Sequence, residues 1–158
     1  MESTTYLVNQ LLNNPPATPS GQIISFQPGD DFSWNPKRLC ITYSPKHPDG
    51  SQLLLHELGH ATLGHSDYNK DIELLSLERA AWDQAELLAQ QYNLSINENL
   101  IEDHLDTYRD WLHSRSLCPQ CSFTGLQTGN AQYSCPACHA KWRVNQARTC
   151  GLKRYITK

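Results

Sequence analysis

The chain has 158 residues, 39% apolar and 18% charged, with a net charge of -3, a length that suits one domain or one small domain with an appendage, burying roughly two-thirds of the unfolded surface. A mean hydropathy of -0.58 and the lack of any long uncharged apolar run exclude a membrane span. The net charge hides a split: residues 1–113 carry 6 Lys+Arg against 16 Asp+Glu, whereas residues 114–158 carry 7 Lys+Arg and no acid, which predicts a domain boundary near 114–117.

The opening residues Met1-Glu2-Ser3-Thr4-Thr5 hold no basic stretch and no continuous apolar run, so no signal peptide is read there and a cytoplasmic location is expected. Residues 4–12 read as a first helix. Between 13 and 36, Pro15, Pro16, Pro19, Gly21, Pro28, Gly29 and Pro36 exclude a long helix. Short strands are left at 23–26 and 32–34, followed by a better one at 38–43, which is rich in β-formers and closed by Ser44-Pro45. A small sheet is therefore expected ahead of the main helices, and residues 39–43, as an edge strand, would align an extended substrate by strand addition.

The strongest signal is His56-Glu57-Leu58-Gly59-His60 inside an apolar run. On a helix, residues four apart project from one face, so His56 and His60 can ligate one zinc ion while Glu57 lies beside them to act as general base on a water. A catalytic zinc site needs a third protein ligand and leaves its fourth position open. Candidates are His65, Glu73, Glu78, Asp83, Glu86 and His104. Gly64 looks helix-terminating and would carry His65 away from the metal-facing side. In the next helix, 71–92, Leu74, Leu75, Ala81, Trp82, Ala85, Ala89 and Tyr92 form one stripe with Glu78 in its middle, whereas Glu73 and Asp83 lie on the polar face and Glu86 at the margin. A carboxylate aimed into apolar surroundings needs a positive partner, either a zinc ion or an arginine. The predicted ligand set is His56, His60 and Glu78.

A further helix is expected over 96–115, capped by Ser95, with His104 on its apolar arc. His104, Tyr43, Tyr68 and Tyr108 are candidates for stabilising a reacting oxyanion. Beyond it, Cys118/Cys121 and Cys135/Cys138 form two Cys-x-x-Cys pairs, and each pair encloses a proline, Pro119 or Pro136. Two such turns across a hairpin, with Gly125 and Gly129 at turn positions, make a four-cysteine structural zinc ribbon. His139 is read as a surface residue because four thiolates already fill that site. Cys40 and Cys150 have no spaced partner and read as ordinary thiols.

The stretch from about Phe32 to Leu88, a little over a third of the chain, resembles the ImmA/IrrE family of zinc metallopeptidases. The resemblance rests on Ile41-Thr42-Tyr43, on Leu55-His56-Glu57-Leu58-Gly59-His60-Ala61-Thr62-Leu63-Gly64-His65, and on Glu78-Arg79-Ala80-Ala81-Trp82-Asp83-Gln84-Ala85-Glu86-Leu87-Leu88. It implies a gluzincin-like fold, a third zinc ligand at Glu78, and cleavage of regulatory proteins such as helix-turn-helix repressors. Ala80 stands where that family often has a second glutamate. The ribbon makes the layout similar to SprT-like peptidases, which act on DNA-bound proteins, although neither His104 nor His113 has the context of their third histidine.

The expectation is thus an α+β protein. Residues 1–114 form a small sheet packed on a helical metallopeptidase domain, and residues 115–158 a β zinc ribbon. It would be a hydrolase with two zinc ions per chain, one catalytic and one structural, acting on a protein substrate such as a transcriptional regulator. The basic ribbon, with Phe123, Tyr133, Trp142 and Tyr155 among its cations, would meet nucleic acid, an acidic protein or the acidic part of its own chain. The non-enzymatic alternative is a metal-stabilised DNA- or protein-binding adaptor.

Overall fold

The computed structural model describes residues 3–147 and 151–158, so the expectation for Cys150 lies outside the described residues. The architecture is α+β, and the described residues group into two units. The first takes the residues up to Ser66 together with Leu77–Ile101, and the second takes Asp67–Ser76 together with Glu102–Lys158. Among the described residues no helix is long and apolar enough to cross a membrane.

In the first unit, α1 (Thr4–Asn13) starts where the Tyr6 N–H donates to both the Ser3 carbonyl at 2.9 Å and the Ser3 side chain at 3.3 Å, the side chain acting as the cap. Its helical spacing buries Leu7, Val8 and Leu11. The prolines that follow confine the chain to three short strands, β1 (Ser25–Pro28), β2 (Ser33–Asn35) and β3 (Cys40–Tyr43). The sheet order is β1-β3-β2, with β1 parallel and β2 antiparallel to β3. This corrects the reading of 39–43 as an edge strand: both sides of β3 are already paired, which explains its buried Ile41, and the free edges belong to β1 and β2.

Helix α2 (Gly50–Leu63) packs against α1, β2 and β3, burying Leu54, Leu55, Leu58 and Ala61. It ends at Gly64, whose φ of 69° lies in the left-handed region that costs glycine least. Helix α3 (Asp71–Gln91) lays Ala81, Trp82, Ala85 and Ala89 into the core of the same unit. Where α2 and α3 cross, a Cβ on Gly59 would stand 2.3 Å from the Ala81 carbonyl oxygen. The missing side chain at Gly59 therefore sets how closely the two backbones approach. The helix expected from residue 96 starts later, as α4 (Glu98–Ser116). Its cap is Asn97 instead of Ser95: the Asn97 side chain accepts the Asn99 N–H at 3.0 Å and its carbonyl accepts the Ile101 N–H at 3.2 Å.

In the second unit, β4 (Leu126–Gly129), β5 (Gln132–Ser134), β6 (Lys141–Val144) and β7 (Arg154–Thr157) form an antiparallel sheet in chain order. Alternation sends Tyr133, Trp142 and Val144 inward to pack with Cys118 and Cys135. The Tyr133 and Trp142 rings stack at 5.6 Å. Buried Arg115 donates from Nε to the Asp71 carboxylate at 3.1 Å, and the Tyr133 hydroxyl donates to the same carboxylate. The Asp71 N–H is taken by the Gln127 side-chain oxygen at 2.8 Å. A buried charge is tolerable when it is paired and hydrogen-bonded in this way, and the network joins the Asp67–Ser76 segment to the sheet of its own unit.

Candidate metal centres

Helix periodicity brings His56 and His60 to one side of α2, and Glu78 reaches them from α3. The three donor atoms lie almost equidistant: His56 Nε2 to Glu78 Oε2 is 3.0 Å, His60 Nε2 to the same oxygen 3.3 Å, and the two Nε2 atoms 3.2 Å. Ligands on a tetrahedral ion at zinc's usual 2.0–2.1 Å would stand about 3.3 Å apart. The donor set also fits chemically. Two imidazole nitrogens and one carboxylate oxygen converge, all of them able to act as ligand atoms when the imidazoles present lone pairs, and no single proton satisfies all three, whereas one cation does. These residues can hold a metal ion.

The surroundings stiffen the arrangement. The His56 ring stacks on buried Trp82 at 4.3 Å between centroids. Burial works against the Glu78 carboxylate, but hydrogen bonds from His56 and His60 outweigh it and hold the group well below the ordinary carboxylate range. Of the two partners expected for Glu78, a zinc ion or an arginine, no arginine forms an ion pair with it among the described residues, and its carboxylate faces the two histidines. Glu57, next in sequence to His56, behaves oppositely. Burial pushes its carboxyl up to about 7, against the opposing influence of His60 and a hydrogen bond from the Trp34 backbone on β2.

The other ligand candidates stand elsewhere. Glu73 accepts the Asn69 and Lys70 N–H groups at 2.8 and 3.1 Å, closing the first turn of α3. Asp83 pairs with Arg79 on the surface, and Glu86 is exposed. His104 meets the Tyr108 ring on α4 within the second unit. His65 does leave the ligand face after Gly64, yet it returns to the opposite nitrogen of His60, with the two Nδ1 atoms 2.9 Å apart. Burial and then the neighbouring His60 lower its basicity. Spacing from the motif gave no signal for this contact, nor for the close approach at Gly59 that lets Glu78 reach across.

The second group is Cys118, Cys121, Cys135 and Cys138, whose sulfurs all lie within 4.8 Å of one another. Cys118 to Cys138 and Cys121 to Cys135 are each 3.5 Å, far beyond a disulfide bond of about 2.05 Å. Four thiolates at zinc's usual 2.3 Å would stand about 3.8 Å apart, so this set fits a tetrahedral ion as well. Both Cys-x-x-Cys turns are built alike. The N–H of Ser122 bonds the Cys118 carbonyl at 2.9 Å and that of His139 bonds the Cys135 carbonyl at 3.1 Å, both donors having left-handed φ angles of 63° and 62°. Backbone N–H groups of Ala137 and Cys138 point at the Cys135 sulfur at 3.4 Å. Burial opposes its ionisation, but those bonds outweigh burial and draw the thiol down to about 7. Cys138 is pushed up to about 12: an Ala140 backbone bond favours its thiolate, while burial and the three neighbouring sulfurs oppose it. Four crowded sulfurs cannot all ionise without a cation between them. His139 is exposed and stays outside the group. No protein-family model, no curated protein and no solved structure matches this chain.

Proposed function

We propose that the chain is a zinc-dependent endopeptidase with a second, structural zinc ion held by Cys118, Cys121, Cys135 and Cys138. The observation that carries this reading is the near-equilateral set of His56 Nε2, His60 Nε2 and Glu78 Oε2, 3.0–3.3 Å on a side, with the Glu57 carboxylate beside it. Three protein ligands leave a tetrahedral ion one position short, which distinguishes a catalytic set from a closed one. When bound there, zinc supplies a Lewis acid that activates water and polarises a carbonyl. Glu57 takes the proton of the attacking water on its carboxylate and returns it to the amine nitrogen as the peptide C–N bond breaks. The Trp34 N–H on β2 holds the Glu57 carboxylate in place, and the free edge of β2, not β3, receives an extended substrate. The resemblance to ImmA/IrrE peptidases points to regulatory proteins as substrates, helix-turn-helix repressors first among them. Replacing Glu57 by Gln tests the reading. The variant is expected to keep its metal, to lose hydrolysis by about 10²–10⁴-fold, and to retain uncut substrate proteins on purification from cells. Undiminished hydrolysis by Glu57→Gln would remove Glu57 as the base, and a zinc-loaded wild type that cuts no peptide would remove the enzyme and leave the adaptor.

The four-stranded sheet supports a second element of the reading, recruitment by a polyanion as in the SprT-like layout. Gln132, Arg143 and Tyr155 stand in register on its exposed face, with Ser134, Lys141 and Thr157 in the next row. The Arg143 guanidinium lies 4.5 Å from the centre of the Tyr155 ring. Among the described residues Lys141, Arg143, Lys153 and Arg154 form no ion pair with a side-chain carboxylate. Cations beside an exposed ring suit phosphate and base contacts. The full chain should bind single-stranded DNA with an affinity that falls steeply with salt, and Arg143→Ala should lower the logarithmic salt slope by about 1. Absence of binding at low salt would withdraw nucleic acid as the partner.

A further inference from the structure

His60 uses both ring nitrogens. Its Nε2 faces His56 and Glu78 at 3.2 and 3.3 Å, while its Nδ1 lies 2.9 Å from His65 Nδ1. The chain takes some trouble to put His65 there. After the left-handed turn at Gly64, the His65 N–H bonds the His60 carbonyl at 2.9 Å, and the His65 carbonyl accepts the Trp34 indole N–H at 3.0 Å. With both backbone groups tied, the imidazole is turned back onto the last turn of α2.

A hydrogen bond between two imidazole nitrogens contains one proton, so one ring donates and the other accepts. For His60 to present a lone pair at Nε2, its own proton must sit on Nδ1. His65 Nδ1 is then the acceptor, and the His65 proton is carried on its Nε2. We propose that His65 is a positioning residue: it accepts the Nδ1–H of His60 and so fixes the tautomer and ring orientation in which His60 is a metal ligand. This rests on the reading of His56, His60 and Glu78 as a ligand set. His65 is not itself a ligand, because the nitrogen nearest the site is occupied by His60 on the side away from Glu78. Without it, the Nε2–H tautomer of His60 places a hydrogen where the lone pair is needed, and the ring loses one of its two anchors. Partners of this kind typically contribute 10–100-fold to metal affinity.

The test uses the full chain, with Zn²⁺ affinity at the His-Glu site measured by competition with a chromophoric chelator. His65→Leu removes the acceptor, and His65→Asn retains one, since Oδ1 occupies nearly the place of the imidazole Nδ1. His65→Leu should bind Zn²⁺ at this site 10–100-fold more weakly, while His65→Asn stays within about threefold of the wild type and the four-cysteine site is unchanged in both. The Co²⁺-substituted wild type and His65→Asn should share one visible absorption spectrum, as the ligand set is the same. Unchanged affinity in His65→Leu would overturn the inference alone, as would equal losses in the two variants, which would mean that ring volume and not the acceptor matters. A wild-type chain that takes Zn²⁺ only at its thiolates would overturn the ligand reading and this inference with it.

Discussion

The four cysteines converge from two short turns that repeat each other bond for bond, whereas His56, His60 and Glu78 converge from two helices that share no local pattern. The sulfur group has four equivalent donors and no acid anywhere in residues 114–158. The nitrogen and oxygen group has three donors and a carboxylate, Glu57, in the adjacent position. In zinc proteins generally, four protein ligands mark structural sites and three mark catalytic ones, so the two groups differ in the feature on which the proposed division of roles rests. One group offers four ligand atoms to an ion, and the other offers three.

The comparison can be broken first on the sulfur side, where the largest effect is expected. Cys135→Ser removes one of the four sulfurs and should cost the sheet of the second unit several kcal/mol, up to about 10 kcal/mol if the metal is lost altogether. The near-ultraviolet signals of the stacked Tyr133 and Trp142 should vanish, and their survival would mean that the sheet stands without its thiolates. Next comes the buried ion pair of the same unit. Asp71→Ala leaves Arg115 charged and unpaired in the interior and should destabilise by about 3–5 kcal/mol in denaturant unfolding. Adding Arg115→Met to Asp71→Ala should restore part of that loss, and no restoration would show that the charge is not the cause. The mildest change sharpens the other side. Gly59→Ala forces a Cβ against the Ala81 carbonyl, so stability should fall by about 1–3 kcal/mol and Zn²⁺ affinity at the His-Glu site should fall with it. An unshifted affinity would detach the helix spacing from the position of Glu78.

What the sequence revealed followed the range of the interaction. The Cys-x-x-Cys turns and the His56/His60 pair are local, and spacing alone locates them. Glu78 was legible because a carboxylate in the apolar stripe of α3 demands a partner, and periodicity identifies the stripe. Pairing was not legible. Arg38 to Tyr43 reads as a strand from its residues, but nothing in those residues says that β1 and β2 occupy both its sides. The bond from Arg115 to Asp71 spans 44 residues and that from Tyr133 spans 62, distances at which no periodic pattern speaks. His65 was judged by the direction of its chain after Gly64, which was right about the ligand face and silent about the far side of the His60 ring.

The central claim, one closed and one open metal site in a single chain, is tested most directly by zinc content followed by the time course of zinc release to excess chelator. The wild type should hold two equivalents per chain and release them in two separated phases, the faster from the His-Glu site with its open position, and His60→Ala should lose only the fast phase. A wild type with one equivalent, or a His60→Ala protein that keeps the fast phase, would contradict the account.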